Sequence, residues 1–431
     1  MILLNQMNKV PTILVIFGIS GDLAKRYLLP AIEAIGEAKM LPEKFKIVGI
    51  TRQKNSEFFQ MDLSTKEEYE RLNDHLMEIE KEFGEPAQRL FYLSIPPEAC
   101  KSVIEFIGRS SLAKNNPNKK ILLEKPFGTN LQNARDLATH IEQYFSPTEV
   151  YRVDHYMAKE TAQNIIIFRE GNSLFKKTWN KDFIESIEVI ASEEIGVEGR
   201  TNFYEQTGAL RDIVQSHLLQ LVALTLMELP ENIEEVPVLR EKALNKLNII
   251  CNINENECVK RAQYEGYRAE VGNMNSKVET FVSINLQSND PKWRGVPITL
   301  TTGKALHSRF TEIRIRYRKD KQMESNELIL RLQPDAGIEF SIWTKVPGYE
   351  HRLSSHHLSF KFKDHYNILP DAYEQVLFNA INSDHRLFTS GGEVIETWRI
   401  LDEVQKTWEK SDEDLAIYKK GSKVEEILHL K

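Results

Sequence analysis

The chain is predicted to form an α/β, Rossmann-like dinucleotide-binding domain followed by an α+β domain with a large, mostly antiparallel sheet. Three observations lead there. Short apolar, β-branched runs alternate with longer polar helical stretches over the first 155 residues. The first of these runs passes straight into a glycine-rich turn. After Lys159 the strand-like runs follow one another at hairpin spacing with few helical stretches between them. A length of 431 residues is long for one core, so two domains, 1–154 and 155–431, are expected.

Residues 13–17, 46–50, 90–95, 120–123 and 150–153 each form a short, unbroken apolar run, the pattern of strands covered on both faces by helices. Beyond Lys159 a helix over 160–169 leads to a strand over 183–192, and a long helix spans 209–227. Strands over 279–287, 297–302, 312–318 and 327–332 follow, and a late helix covers 393–409. The change of pattern puts the domain boundary near Asp154.

A formal net charge of −7 argues against non-specific nucleic-acid binding, and a phosphorylated ligand would have to meet a local basic cluster. Cys100, Cys251 and Cys258 have neither disulfide-framework nor zinc-site spacing, which favours a reducing cytoplasm. The short apolar run near the N-terminus does not read as a signal peptide, no segment has the length of a membrane span, and nothing repeats.

Two places carry chemistry. The run 13–17 enters Gly18-Ile-Ser-Gly-Asp-Leu-Ala24, where Gly18, Ser20, Gly21, Asp22 and Leu23 form a candidate phosphate-binding turn before a helix. A tight structural turn would read the same way, and the absence of G-K-[ST] excludes a P-loop. Thr51-Arg52 follows the second run at the position where an NAD enzyme places an acid; a guanidinium there suits the 2′-phosphate of NADP. The second place is Arg152 to Glu160, R-V-D-H-Y-M-A-K-E, where a strand ends in Asp154, His155, Tyr156, Lys159 and Glu160. These groups suit an anionic, hydroxyl-rich ligand, or a salt-bridged junction between domains.

Taken together, the motifs resemble the glucose-6-phosphate dehydrogenase family. They are G-I-S-G-D-L-A-K-R (18–26), Y-L-S-I-P-P (92–97), E-K-P-F-G (124–128) and the run 152–160. G-A-L-R-D-I-V-Q-S-H (208–217), G-V-P-I-T-L-T-T-G-K (295–304), N-E-L-I-L-R-L-Q-P (326–334) and P-D-A-Y-E (370–374) continue the set in the family's order. The resemblance implies oxidation of glucose 6-phosphate to 6-phosphogluconolactone with hydride transfer to NADP. It implies His217 as the base that takes the hydroxyl proton, with Asp154 holding its ring; from the residues alone His217 also reads as a satisfied core histidine.

By the same resemblance His155, Tyr156 and Lys159 grip the sugar phosphate. Lys125, followed by a cis bond to Pro126, lies between substrate and nicotinamide. Glu193 and Asp212 accept from sugar hydroxyls, and Lys304 and Gln333 add substrate contacts from the second domain. Ile95, Pro96 and Pro97 form an apolar lip beside the nicotinamide, with Ser20 and Arg52 at the cofactor's other end. A homodimer or homotetramer assembled through the second domain's sheet is implied.

Three departures from the family stand out. The helical crossover after Arg52 is nearly missing, so the third strand (58–62) is displaced or the adenine side of the sheet is open, with weakened NADP binding there. Ala158 replaces the glycine of H-Y-x-G-K-E, and Ser216 replaces the asparagine before His217. Thr301 replaces an arginine near T-G-K, so no second, structural NADP is expected.

Overall fold

A computed structural model describes residues 10–430 except 55–56, 115, 251–257, 320–323 and 412–413. They pack as two compact units: residues up to Ala158 with Pro370–Val394, and Lys159–Leu369 with the residues from Ile395 onward.

The first unit is built on β1 (Thr12–Phe17), β2 (Phe45–Thr51), β3 (Phe59–Gln60), β4 (Gln88–Leu93), β5 (Lys119–Leu123) and β6 (Val150–Val153). All run parallel, in the order β3-β2-β1-β4-β5-β6. This is the doubly wound order, which binds its ligand outside the C-terminal strand ends, where the order reverses. Every residue of β1, β4 and β6 is buried, which is why those strands read as unbroken apolar runs. Helices Leu29–Glu37, Lys66–Phe83, Pro97–Arg109 and Leu131–Glu142 supply the covering layers.

β3 resolves the question raised by the short link after Arg52. It keeps its place beside β2, but only Ile50 with Phe59 and Thr51 with Gln60 are paired. So short an edge strand needs no helical crossover, because the chain only has to turn back far enough to meet two residues.

The second unit holds β7 (Ile184–Ser192), β8 (Leu247–Ile249), β9 (Val259–Tyr264), β10 (Phe281–Ser288), β11 (Ile298–Gly303), β12 (Phe310–Tyr317), β13 (Glu327–Gln333), β14 (Gly337–Lys345) and β15 (Leu353–Lys361). With β17 (Leu415–Tyr418) they form a ten-stranded sheet among the described residues, mostly antiparallel; β7–β11 and β9–β17 pair in parallel. β16 (Phe388–Thr389) instead belongs to the first unit, antiparallel beside β6. The helix Ala372–Ile381 precedes it and packs into the first unit's core through Val376, Leu377 and Ala380.

The long helix expected over 209–227 is not one regular helix. A helix starts at Thr201 and breaks at Gly208 (φ 63°, ψ 179°); Leu210–Leu218 is wound as a π-helix, and Leu219–Leu226 is α-helical and wholly buried. The sequence shows the apolar character of this stretch but not its hydrogen-bond register. Cys100 is a free thiol, whereas Cys258 is disulfide-bonded, which corrects the expectation of cysteines outside any bridge; Cys251 lies outside the described residues. Three cysteines at these spacings give no framework signal from which a single bridge can be read. No helix among the described residues is long and apolar enough to cross a membrane.

Candidate active site

β1 delivers the chain into Gly18, whose φ of +84° is left-handed and whose α-carbon has no room for a side chain: a β-carbon would lie 2.2 Å from the Ser94 carbonyl oxygen. Only glycine lets the ends of β1 and β4 approach so closely. Gly21 N–H donates to the Gly18 carbonyl at 2.9 Å, which closes the turn, and the helix follows with its first residues, Ala24–Leu28, π-wound. Ser20 reaches Thr51 at the end of β2, with 3.4 Å between the hydroxyl oxygens. Asp22 pairs with Arg26 on the surface, and Arg52 is exposed just past β2. The Gly18 and Ile19 N–H groups donate to the Ile50 carbonyl at 3.1 and 3.2 Å, so what the turn offers a pyrophosphate is the start of the helix that follows it.

The remaining first-unit candidates occupy the same sheet edge because each follows a parallel strand. Ile95 and Pro96 follow β4, Lys125 follows β5, and Asp154, His155 and Tyr156 follow β6. The Lys125–Pro126 bond is cis. Asp154 is 1 % exposed, and one carboxylate oxygen accepts from the Tyr156 N–H at 3.0 Å, which folds the chain back at the strand end. The His155 and Tyr156 rings meet edge to face at 5.0 Å. Ala158 is buried and is not among the residues with positive φ, so its methyl group carries no backbone penalty.

Two neighbours of Lys125 were not singled out in the sequence. The Tyr92 hydroxyl, on β4, donates to the Glu124 carboxyl. Burial pushes Glu124 up to about 7, against the lowering effect of the Tyr92 bond and of Lys125; nearby Asp154 adds to the rise. A carboxyl so held keeps its proton close to neutrality.

In the second unit the predicted residues fall into pairs. Glu193 and Lys304 follow the adjacent parallel strands β7 and β11, and their side chains form an ion pair. Lys159 donates to the Gln333 side-chain oxygen, and Gln333 donates on to Thr311 at 3.1 Å. Asp212 and His217 lie on the π-wound segment, 8 % and 1 % exposed. Residues five apart lie about 140° apart around an α-helix. With i→i+5 bonding the two positions come closer to one side of the segment. Ser216 spends its hydroxyl on the Asp212 carbonyl at 3.1 Å, and Thr301 shares a buried contact with Ser283 at 3.1 Å. Both substitutions are thus absorbed locally. Asp154 belongs to the first unit and His217 to the second.

The family model for the glucose-6-phosphate dehydrogenase C-terminal domain matches residues 166–428. The one for the family's NAD binding domain matches in two pieces, 15–58 and 53–164, which meet at the short link after Arg52. Glucose-6-phosphate 1-dehydrogenase of Chlamydia muridarum is 33 % identical over 93 % of this chain and 91 % of its own length, and that of Dickeya dadantii 30 % over 95 % and 94 %. A chloroplastic relative from Spinacia oleracea is 31 % identical over 98 % of this chain and 83 % of its own. A solved structure described as glucose-6-phosphate dehydrogenase in complex with its substrate glucose-6-phosphate superposes with a TM-score of 0.90, at 27 % identity and 98 % coverage of both chains. The Mycobacterium avium glucose-6-phosphate 1-dehydrogenase structure gives 0.82 at 26 % identity over 96 % and 95 %. The chain belongs to the glucose-6-phosphate dehydrogenase family.

Proposed function

We propose that the protein oxidises D-glucose 6-phosphate to 6-phospho-D-glucono-1,5-lactone with transfer of the hydride to NADP. What supports this most is the likeness along 98 % of both chains to a dehydrogenase solved with that sugar phosphate. The strand-end residues that the chemistry needs are also all present.

His217, buried where water competes little, takes the proton of the anomeric hydroxyl. Asp154 orients the ring and stabilises the imidazolium that forms. His155, Tyr156 and Lys159 bind the phosphate, an ammonium supplying the charge and an imidazole and a phenol the further donors. Glu193 and Asp212 accept from sugar hydroxyls, while Lys304 and Gln333 hold the sugar. Lys125 orients the reacting carbon. The residues fitted to hold NADP are Gly18, Ser20, Gly21, Asp22 and Leu23 around the pyrophosphate, Arg52 at the 2′-phosphate, and Ile95, Pro96 and Lys125 towards the nicotinamide. When bound, NADP supplies the hydride acceptor.

The two-residue β3 favours a second reading, a catalytically weak paralogue that binds sugar phosphate as a regulatory protein. One experiment separates them: NADP and NAD reduction by the purified protein with glucose 6-phosphate, beside His217→Asn. NADPH formation that the variant loses by a factor of 10²–10⁴ supports the dehydrogenase. A folded protein without turnover on either cofactor overturns it.

A homodimer, or a tetramer built from it, is proposed to form through the second unit's sheet. β15 is an edge strand that exposes Leu353 and Leu358, and exposed apolar side chains on a long edge strand are rarely left uncovered. A monomeric mass by sedimentation would contradict this.

A further inference from the structure

Lys304 stands on a rigid base. Its backbone N–H donates to Thr280 at 2.9 Å and its carbonyl accepts from the Tyr418 hydroxyl at 2.6 Å. The next residue, Ala305, has a φ of +50° and donates to Ile195 at 2.9 Å. The backbone is therefore fixed, and the four-carbon stem alone decides where the ammonium lies. Glu193 draws it from one side. On another side lies Tyr204, from the helix Thr201–Ala209, whose ring centroid is 5.2 Å from the Lys304 nitrogen.

Tyr204 is 2 % exposed and set in an apolar cluster with Tyr264, Tyr267, Phe281, Leu306 and Tyr418. Its hydroxyl is buried and has no hydrogen-bond partner among the described residues. Burial, then the carboxylates of Asp212 and Glu279, Tyr418, and last Glu193, push the phenol well above its usual range. The ring is thus uncharged at any working pH. Among the described residues the hydroxyl makes no bond, and what Tyr204 offers Lys304 is its ring face. An electron-rich face within about 6 Å of a mostly buried ammonium attracts it. Neither the glycine pattern nor the strand-end motifs point to this tyrosine.

We propose that Tyr204 is a positioning residue of the sugar subsite, its ring holding the Lys304 ammonium beside Glu193 in the place from which Lys304 grips the substrate. This rests on the reading of Lys304 as a substrate contact. The carboxylate alone would let the stem swing about Glu193; a second attraction from another direction leaves one position.

The test uses the full-length protein with NADP and glucose 6-phosphate. Tyr204→Leu is expected to raise KM for the sugar phosphate about fivefold, the size of a partly desolvated cation–π contact, with kcat held within about twofold. Tyr204→Phe, which keeps the ring, recovers most of that loss. In a Lys304→Met background, Tyr204→Leu adds nothing further, which a merely structural role for the ring would not produce. Should the leucine variant fail to fold, phenylalanines of increasing fluorination at position 204 weaken the ring face at constant shape, and KM is expected to climb with each fluorine. If Lys304→Met leaves KM unchanged, the reading of Lys304 fails and the proposal with it. If Lys304→Met raises KM but the fluorination series is flat, or the two variants are additive, the Tyr204 proposal alone is overturned.

Discussion

The Glu279 carboxylate lies directly against Gly208: a β-carbon on Gly208 would come within 2.3 Å of its Oε1. The same oxygen accepts the Leu210 N–H at 2.9 Å. A buried acid from before β10 therefore caps the π-wound segment that carries Asp212 and His217, and the chain can pass over it only at a residue without a side chain. A backbone at φ 63° and ψ 179° is essentially restricted to glycine. The acid sits where a helix N-terminus favours negative charge, although burial raises its pKa.

Gly208→Ala should therefore cost about 2–4 kcal/mol, from backbone strain and the displaced cap. Because the displaced segment carries His217, kcat is expected to fall more than KM rises. Urea unfolding alongside steady-state kinetics checks both, and a variant as stable as the parent would contradict the geometry.

Glu124 predicts a pH dependence of stability with a definite sign. In the folded protein it holds its proton up to about 7, whereas the unfolded chain releases it near 4.5. Between those values the folded state binds more protons, so rising pH weakens the fold, by about 3 kcal/mol over the window. Glu124→Gln removes that slope and still offers Tyr92 an acceptor. The stability difference between variant and parent should grow in the variant's favour from pH 5 to pH 8; a constant difference would refute the buried acid.

Lys120 gives the opposite slope. Burial pulls it down to about 7, and its nitrogen donates to the carbonyls of Ala380, at 2.6 Å, and Ile381. The unfolded chain keeps this proton up to 10.5, so the Lys120 contribution to stability rises between pH 7 and 10.5. Lys120→Met loses both hydrogen bonds, about 1–2 kcal/mol net, and flattens that rise. Equilibrium unfolding at pH 7 and pH 9 reads both effects.

Arg52 is exposed just past β2, the strand end at which a dinucleotide's 2′-phosphate is read. Arg52→Ala is expected to raise KM for NADP about tenfold, the scale of one charge-assisted contact, and to leave KM for NAD nearly unchanged. An equal effect on both cofactors would assign Arg52 another role.

Much of this architecture is legible in the sequence, for a physical reason. β1, β4 and β6 are buried on both faces and so appear as continuous apolar runs, and the glycine turn needs Gly18 because a neighbouring carbonyl occupies the side-chain space. β15 is the contrary case: none of it is buried and most of it is exposed, so it carries no apolar pattern and goes unread. The π-winding around His217 is invisible because a shift of hydrogen-bond register leaves composition untouched. Glu279 beneath Gly208 and Tyr204 beside Lys304 are likewise hidden, since each contact joins residues about seventy or a hundred positions apart. The motif residues were found because the family's chemistry needs them at strand ends; the residues that hold them in place follow no such rule.

The return of β16 to the first sheet sets the order in which this protein can be made. While it is still being synthesised, the outer edge of β6 waits for Phe388 and Thr389, and the carbonyls that Lys120 binds have not yet been added to the chain. The nucleotide-binding half is therefore finished only when the chain has grown from Val153 on β6 to Thr389 on β16. A chaperone guarding an unpaired strand would have its longest task at β6, whose partner is translated long after it.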